Sequence, residues 1–397
     1  MNDPIYLDYN ATTPVAPQVL DAMLPWLREQ FGNPSSSHVF GQRAAQAVRT
    51  ARRQVADLIG AKPHEIVFTG CATEANNLAL LGAAQALVES GSTKRHLVLS
   101  AVEHPAVMAP AMHLRAQGWE VTIVPVDTWA RVSTEQVHQA LREDTALVSI
   151  MHANNEVGTL QPIADIARLT RPRGILLHTD AAQSAGKVPL AVDELGVDLL
   201  TLAGHKFYAP KGVGALYVRS GTAMRAVLHG ADQEQGLRPG TENVAAIVAL
   251  GAAAALANDT LAATSAHMLT LRDRLHRGLR AAVSGLQLNG HPEQRLPNTL
   301  HLSFPGVSGR ALLAHAAAVV AASVGSACHS EQDAVSGVLA AMGLDAKRAA
   351  GAVRLSVGRM TTVDEIDRAT NGLLAAWHVL QSGDLNQPQT SSGKTAV

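Results

Sequence analysis

Two residues of opposite charge come just after neighbouring apolar segments in the middle of the chain. Asp180 follows Ile175–His178, and Lys206 follows Asp198–Leu202. Ligands of an α/β sheet bind beyond the carboxyl ends of its strands, so we expect both side chains to face one crevice. An acid for a pyridinium nitrogen and a lysine for a Schiff base are what pyridoxal phosphate requires of a protein. The pair therefore suggests a site for this cofactor.

Each of the two residues also has a simpler explanation. A carboxylate at the end of a buried strand is costly unless it has a partner, and a pyridinium N–H would be one. Asp180 could equally cap a helix that begins at Ala181. Most lysines face solvent, but Lys206 lies in the run Ala203–Tyr208, among small and apolar residues. Burial lowers the pKa of a lysine and makes it usable as a nucleophile and base.

Apolar runs and helix-like stretches alternate from Glu65 to Val218, and this alternation indicates the fold class. The runs that resemble buried strands are Ile66–Phe68, His96–Leu99, Val121–Val124, Ala146–Ile150, Ile175–His178, Asp198–Leu202 and Gly214–Val218. The helix-like stretches between them include Glu74–Glu89, Ala106–Gln117, Thr134–Leu141 and Ile163–Leu169. Such alternation predicts an α/β fold with a mainly parallel seven-stranded sheet that helices cover on both faces.

The length of 397 residues is more than one hydrophobic core usually spans, so we expect about two domains. We assign residues 1–15 to an N-terminal segment that packs with the small domain, and 16–259 to a large cofactor-binding domain. Residues 260–382 form a smaller α/β C-terminal domain in this assignment, which begins within the alanine-rich helical stretch Val244–Ala282 and has a strand at Leu300–Phe304. The polar tail 383–397 has no periodicity and is predicted to be disordered.

Composition narrows the classes of protein to which the chain can belong. The formal net charge of −1 lacks the basic excess that nucleic-acid binding demands. The two cysteines, Cys71 and Cys328, form neither a disulfide framework nor a zinc pattern. The N-terminus has no signal-peptide pattern, and no apolar run free of charges and turn formers reaches the roughly 18 residues of a membrane span. We therefore expect a cytoplasmic enzyme that binds a small molecule and neither nucleic acid nor membrane.

Two turns place a threonine before a helix-like stretch, where free N–H groups and the helix dipole favour a phosphate. Thr73 lies in Gly70–Glu74, after a strand, and Thr241 lies in the turn-rich loop Gly236–Asn243. Each threonine is a good helix N-cap and could contact phosphate. An ordinary capped helix explains either turn without a ligand.

Two further strand ends carry side chains that suit a flat, charged ligand. His104 follows His96–Leu99 and could stack on a ring and move protons, because an unperturbed histidine has a pKa of about 6.5. Asn155 lies in His152–Glu156, at the end of another strand. A structural histidine and a turn-forming asparagine are the alternatives.

The C-terminal region contributes a thiol and a guanidinium. Cys328 lies among small and polar residues with His329 beside it, and a thiol near positive groups is reactive because the thiolate is the nucleophile. Arg354 lies in the predicted strand Val353–Ser356, where an inward-facing guanidinium would suit a substrate carboxylate. A buried, inert cysteine and an outward-facing arginine are the alternatives.

Taken together, these motifs resemble those of the cysteine desulfurases, pyridoxal-phosphate enzymes of fold type I that are related to the class V aminotransferases. The resemblance covers nearly the whole chain. Its motifs, in the order of the family, include Tyr6–Pro14, Phe31–Ser36, Gly204–Lys206, Arg295–Thr299 and Arg354–Arg359. It implies the pyridoxal-phosphate transferase fold of type I, a homodimer, and removal of sulfur from L-cysteine for transfer to an acceptor, in iron–sulfur cluster formation or other sulfur metabolism.

The resemblance implies roles for the residues around the cofactor. Lys206 would hold pyridoxal 5′-phosphate and later move the substrate's Cα proton, and Asp180 would keep the pyridine nitrogen protonated. His104, a catalytic residue, would stack on the ring, and Gln183 would bond the ring's phenolic oxygen. The other implied cofactor contacts are Ala72, Thr73, Asn155, His205 and the partner subunit's Thr241.

The resemblance also implies how the substrate is held and cleaved. Asn155 and Arg354 would orient the substrate carboxylate. Cys328 would attack the substrate sulfur, which leaves a persulfide on the enzyme and releases alanine. The loop that carries Cys328 resembles the longer type, which passes persulfide sulfur to an acceptor protein.

The sequence carries conflicting signals about the substrate. Ala322–Ser330 and Gly204–Tyr208 also resemble selenocysteine lyases, whereas Val102–Val107 resembles a nitrogen-fixation-type desulfurase. A selenocysteine lyase that acts on L-selenocysteine is therefore the nearest alternative. A fold type I aminotransferase is the second, and a sulfur-relay scaffold that has lost its chemistry is the third.

Three positions depart from the family pattern. Ala203 stands where a phosphate-binding hydroxyl often precedes the Gly-His-Lys motif, and Cys71 replaces a usual glycine. Gly230–Gln235 replaces a glycine-rich segment that contains arginine. We expect a lost phosphate contact, an altered phosphate turn and an altered subunit contact at these positions, with every catalytic group retained.

Overall fold

The computed structural model describes residues 3–325 and 336–382. In the described residues, the strands form a seven-stranded sheet, a three-stranded sheet and a two-stranded sheet. The strands are β1 Ile5–Tyr6, β2 Ile66–Thr69, β3 His96–Ser100, β4 Glu120–Val124, β5 Thr145–Ser149, β6 Leu176–Asp180, β7 Leu199–Ala203, β8 Gly214–Val218, β9 Gln287–Asn289, β10 Thr299–Ser303, β11 Val320–Ala321 and β12 Ala352–Ser356.

Helices surround these sheets. They are α1 Pro17–Arg28, α2 Val39–Ile59, α3 Ala72–Asn77, α4 Ala83–Glu89, α5 Pro105–Ala116, α6 Thr134–Ala140, α7 Ile163–Thr170, α8 Val192–Leu195, α9 Val244–Ala282, α10 Gly309–Ala316, α11 Gly337–Ala341, α12 Ala346–Ala350 and α13 Val363–Ser382. A π-helical segment, Leu78–Gly82, joins α3 to α4, so the helix predicted over Glu74–Glu89 is continuous but not regular.

The central sheet has the strand order β2-β8-β7-β6-β5-β3-β4. Its pairs are parallel from β4 through β7, and only β8 runs against its two neighbours, β7 and β2. The predicted mainly parallel seven-stranded sheet is therefore confirmed, and each predicted strand occurs within one or two residues of its expected bounds. Parallel order brings the carboxyl ends of β3, β5, β6 and β7 to one edge of the sheet, where a ligand would bind.

Two hydrophobic clusters are joined by one long helix. The first cluster consists of buried side chains from α2 and the central sheet, among others, and the second includes those of α13, β10 and β12. Helix α9 contributes Leu250 to the first cluster and Leu271 to the second, so it passes from one to the other without a break. The domain boundary between residues 259 and 260 falls inside this helix and stays a prediction.

Helix α9 is also the one helix in residues 3–325 and 336–382 that is long and apolar enough to cross a membrane by length and composition. Half of its most apolar window is buried inside the protein, where it packs against α1 and α2. The buried core helix of a globular protein has the same composition, because both environments exclude water.

The N-terminal segment ties the two clusters together. Strand β1 pairs in parallel with β11, and Asp8 forms a bridge to Ser356 at the end of β12. Next to these contacts, Leu7 belongs to the second hydrophobic cluster and Tyr9 to the first. This path carries residues 8–13 across the edge of the central sheet at which β7 ends.

Two predicted helix caps are wrong, and the alternative in which Asp180 caps a helix does not hold. Helix α3 is capped by Cys71 rather than Thr73, because the extended Cys71 backbone lets Sγ accept the Glu74 N–H at 3.4 Å. Helix α9 is capped by Asn243 rather than Thr241, through a 3.2 Å hydrogen bond from the Ala246 N–H to Oδ1. No helix begins at Ala181, where turns follow β6, so Asp180 ends a strand and caps nothing.

Candidate active site

A pocket of about 440 Å³ lies at the carboxyl ends of the parallel strands. It is closed on one side by the N-terminal segment and on another by β12, through Asn10 and Arg354. Its volume suits a small cofactor with a substrate. The predicted site residues that line it are Ala72, Thr73, His104, Asn155, Asp180, Gln183, His205, Lys206 and Arg354.

Asp180 is the last residue of β6 and is 6% exposed. Its Oδ1 accepts the Ala182 N–H at 2.9 Å, and its Oδ2 accepts the Asn76 side-chain amide at 2.7 Å. Both hydrogen bonds fix the carboxylate at the pocket wall. Hydrogen bonds to an ionised carboxylate are roughly twice as strong as hydrogen bonds between two neutral groups.

Lys206 ends a short 3₁₀ turn, Gly204–Lys206, that follows β7 directly. Its Nζ donates to the backbone oxygen of Asn10 at 2.6 Å and of Ala11 at 2.8 Å. The ammonium therefore lies against the N-terminal segment.

His104 caps α5 and faces the same pocket. Its Nδ1 accepts the Ala106 N–H at 3.0 Å, so the proton of the neutral ring is on Nε2. Burial lowers the pKa of His104, and Lys206 lowers it further, while Asp180 acts in the opposite direction. A neutral imidazole with a fixed tautomer is suited to stack on a flat ring and to donate from Nε2.

The end of the pocket beside α3 contains the predicted phosphate-binding residues. Ala72 and Thr73 form the first turn of α3, and Thr73 is exposed to solvent. His205 lies across from them, with Nδ1 at 3.1 Å from the Thr12 hydroxyl, and burial lowers the pKa of its ring to about 4. Ala203 also lines the pocket and offers no side-chain donor there.

Gln183 presents an oxygen to the pocket. Its Nε2 donates to the backbone oxygen of Asn10 at 3.0 Å, which leaves Oε1 buried and without a partner among the described residues. This atom suits a ligand that brings a donor, such as a protonated phenol.

Arg354 and Asn155 lie at the end of the pocket formed by β12. Arg354 Nη2 pairs with Asp8 Oδ1 at 2.7 Å, and Nη1 donates to the backbone oxygens of Asn155 and Gly325 at 3.0 and 3.3 Å. The Nε of Arg354 is buried and, within residues 3–325 and 336–382, has no acceptor. Of the two alternatives for this arginine, the inward-facing one is therefore correct, since its side chain is 4% exposed.

The pocket lining does not include Thr241, which is exposed, and its role in a partner subunit's site stays a prediction. Cys328 lies outside the described residues. Two residues that flank its loop, Gly325 and Gly337, both line the pocket.

Sequence reasoning missed four residues that shape the pocket. Asn10 receives Lys206 and Gln183 on its backbone oxygen, and its side chain bonds Asn155 and Thr299. The others are Asp8, which pairs with Arg354, Asn76, which holds Asp180, and Glu103, a buried acid. The sequence does contain one signal for Asp8 and Asn10. Short polar residues recur in Asp8–Thr13, directly after the apolar pair Tyr6-Leu7.

The residues of the pocket fit pyridoxal 5′-phosphate. An anchored carboxylate, a lysine, a neutral histidine and a threonine at a helix start converge on one cavity. Buried side-chain oxygens of Asn76, Glu103 and Gln183, all in its lining, have no partner among the described residues and so leave room for a polar ligand. Fold and site together define a pyridoxal-phosphate-dependent enzyme of fold type I.

Comparison with known proteins places this class within one family. The model of the family "Aminotransferase class-V" matches residues 5–369, so the chain belongs to the class V aminotransferase family, whose cofactor is pyridoxal 5′-phosphate. The cysteine desulfurase IscS of Anaeromyxobacter sp. (strain Fw109-5) is 49% identical over 92% of this chain and 91% of its own. The cysteine desulfurase IscS of Dictyoglomus turgidum is 44% identical over 92% of this chain and 93% of its own. A solved NifS-like protein superposes with a TM-score of 0.87 at 38% identity, over 96% of this chain and 100% of its own.

Proposed function

We propose that this protein is a cysteine desulfurase that removes sulfur from L-cysteine, releases L-alanine and keeps the sulfur as a persulfide on Cys328. The observation that carries the proposal is one pocket that joins Asp180, Lys206 and the unpartnered Nε of Arg354. The relatives named as cysteine desulfurases cover more than nine tenths of the chain and support the same reaction.

The cofactor would be held from several sides of the pocket. Asp180 would face the pyridine nitrogen, His104 would stack on the ring, and Ala72, Thr73 and His205 would surround the phosphate. When bound, pyridoxal phosphate supplies an electron sink that makes the Cα proton of an amino acid acidic. Lys206 would bond the cofactor at rest and move that proton during the reaction, from its place beside Asn10 and Ala11.

The substrate carboxylate would bind between Arg354 and Asn155. Arg354 already pairs with Asp8 through Nη2, and its buried Nε has no acceptor among the described residues. A substrate carboxylate that accepts from Nε would give this nitrogen its missing acceptor. A lysine in this place could not do so, because it lacks the several fixed N–H donors of a guanidinium. The site would therefore select an α-amino acid by its carboxylate.

The reacting sulfur would be met by Cys328. The residues on both sides of the undescribed segment that carries this cysteine bond residues of the pocket. The Gly325 carbonyl oxygen accepts from Arg354 Nη1 at 3.3 Å, and the Ser336 hydroxyl donates to Glu156 at 2.5 Å. The Cys328 thiolate would attack the substrate sulfur and form the S–S bond of the persulfide. The Cβ–S bond of the substrate would break with its electron pair left on the carbon side, and protonation of Cβ would give alanine.

The reaction is tested by its products. Purified protein loaded with pyridoxal phosphate and given L-cysteine with a thiol reductant is expected to release alanine and sulfide in equal amounts, with no 2-oxo acid. Alanine is measured by chromatography and sulfide by a colorimetric assay. Stoichiometric 2-oxo acid in place of alanine would identify an aminotransferase instead. Alanine release from L-selenocysteine alone would identify the lyase.

We further propose that the active form is a homodimer, as is general among the related desulfurases. The stacked rings of Phe31 and Phe40, 5.6 Å apart, support this, because Phe31 is 76% exposed in the single chain. The exposed Thr241 would then complete the phosphate site of the partner subunit. We also infer a cytoplasmic enzyme that hands sulfur to an acceptor protein and binds neither nucleic acid nor membrane.

The dimer has a matched pair of variants. Thr241→Ala is expected to weaken cofactor binding by roughly 10- to 100-fold, because a hydrogen bond to a charged group contributes about 1.5–3 kcal/mol. Thr241→Ser keeps the hydroxyl and is expected to bind as the wild type does. Sedimentation of each protein gives the mass, and absorbance titration of the apoprotein gives the affinity. Full activity at the mass of one chain would refute the proposal.

A further inference from the structure

Glu103 is an acid of the pocket with no assigned role. It lies between the end of β3 and the start of α5, is 8% exposed, and lines the same cavity as Asp180 and Lys206. Its Oε1 accepts the Ser100 hydroxyl at 2.5 Å and the Met151 N–H at 2.8 Å. The carboxyl is therefore fixed on one oxygen by two donors, from the ends of two neighbouring strands.

The other oxygen has no such contacts. Oε2 of Glu103 is buried, and no group in residues 3–325 and 336–382 bonds to it. Asp180 is not a partner of Oε2 either: its two carboxylate oxygens accept from Asn76 and from the Ala182 N–H. A buried polar atom that faces a ligand pocket without a partner indicates a contact that the ligand completes.

The charge around Glu103 determines which form of the acid is stable. Burial raises its pKa to about 8, and the nearby Asp180 carboxylate raises it in the same direction, while the bonds from Ser100 and Met151 act against the rise. The other titratable groups that line the pocket are Cys71, His104, Glu156, His205, Lys206 and Arg354. No cation among the described residues pairs with Glu103, and its Oε1 accepts two hydrogen bonds, so the proton of the acid is on Oε2.

We propose that Glu103 is a second acid of the cofactor pocket, which stays protonated beside the Asp180 carboxylate and donates a hydrogen bond from Oε2 to the bound cofactor. The two carboxyls then carry one negative charge between them. A pyridinium ring bound there is balanced by Asp180 alone, while Glu103 acts as a neutral donor, as a carboxylic acid can in an apolar site. This inference rests on the proposed cofactor site but not on the reaction that the site performs.

Infrared difference spectroscopy of the carboxylic-acid C=O stretch tests the proposal. At pH 7 the apoprotein is expected to show an acid band that Glu103→Gln lacks. The matched control is Glu65→Gln. Glu65 is similarly buried at 7% exposed, but although burial raises its pKa, its bonds to Ser220 and Lys62 together outweigh burial and lower it. That variant is expected to retain the band. A spectrum in which Glu103→Gln and the wild type agree would show an ionised Glu103 and overturn the proposal.

Cofactor loading tests the hydrogen bond itself. Addition of pyridoxal phosphate to the wild type is expected to shift the Glu103 band to lower frequency, because a donated hydrogen bond weakens the acid's C=O bond. A band that stays in place with the cofactor and moves only when L-alanine is added as well would assign the contact to the amino acid and refute the cofactor assignment. These spectra do not depend on sulfur release, so a failure of the desulfurase assay leaves them interpretable.

Unfolding of the apoprotein as a function of pH gives an independent measurement. A carboxyl whose pKa is higher in the folded than in the unfolded chain binds its proton more tightly when folded. The stability that it contributes is then present at low pH and decreases as pH rises through the interval from about 4.5 to about 8. In the Glu103→Gln variant, the free energy of unfolding is expected to decrease less over this pH interval than it does in the wild type. Equal pH dependence in both proteins would contradict a protonated Glu103. If the variant does not fold, disappearance of the wild-type acid band as pH passes 8 decides the question.

Discussion

Replacement of Lys206 by alanine is expected to lower alanine release from L-cysteine by roughly 10²–10⁴-fold through loss of proton transfer alone. Loss of the covalent link to the cofactor adds to this effect. No other lysine lines the pocket in the described residues, and the buried Lys187 is engaged by the Gln183 backbone oxygen at 2.9 Å. The measurement is steady-state alanine release, together with the absorbance of the bound cofactor, which is expected to change to that of the unlinked aldehyde.

The matched control is Lys211→Ala. Lys211 is exposed, five positions along the chain, and does not line the pocket. This variant is expected to keep the wild-type rate and spectrum. If Lys206→Ala retained both, the assignment of Lys206 would be wrong, whatever the reaction.

The fold is expected to survive the loss of Lys206. Nζ donates to the backbone oxygens of Asn10 and Ala11, and the Asn10 oxygen keeps its second donor, Gln183, when the ammonium is removed. The ammonium contributes little packing in this place, since the residue is half-buried. A fall in rate without a fall in melting temperature therefore separates the chemical role of this lysine from a structural one.

The sheet was predictable because burial on both faces gives its parallel strands an unmistakable composition. Leu97–Leu99 is apolar at every position, and Leu199–Leu202 at every position but Thr201; each run precedes a polar residue of the candidate site. Strand order then places those residues at one edge by geometry alone. The predicted neighbourhood of Asp180 and Lys206 followed from this rule without any knowledge of side-chain contacts.

Helix starts were less predictable because capping depends on backbone angles that composition does not determine. Thr73 is the better capping residue by type, but the chain enters α3 in an extended conformation at Cys71. Asn243 takes the place expected for Thr241, two residues farther along, because its side chain is the one that accepts the Ala246 N–H. Both threonines remain free to bond a ligand, which capping would have restricted.

The missed residues act across distances that a sequence does not reveal. Asn10 contacts residues 145 and 196 positions away, and Asn76 contacts an acid 104 positions away. Glu103 is adjacent to His104, and an acid beside a loop histidine is ordinary at a surface, so its type and position predict no role. Only its burial and its bonds to Ser100 and Met151 set it apart.

Replacement of Cys328 by alanine distinguishes the two closest functions. Sulfur release from L-cysteine is expected to fall by roughly 10³-fold or more, because removal of an attacking nucleophile eliminates the covalent route. Selenium release from L-selenocysteine is expected to survive in part if the protein is a lyase, since a selenol ionises more readily than a thiol and leaves with less help. Paired assays of alanine from both amino acids, with wild type and variant, measure the difference.

The second cysteine of the chain supplies the control. Cys71 is exposed at the first turn of α3, and Cys71→Ser is expected to leave the persulfide detectable on Cys328 by mass spectrometry of the peptide. Cofactor absorbance should be unchanged in Cys328→Ala, because no cofactor contact is assigned to that residue. Desulfuration at the wild-type rate in Cys328→Ala would exclude a persulfide on this cysteine and leave the pocket, with Lys206 and Asp180 in place, to a reaction that needs no thiol.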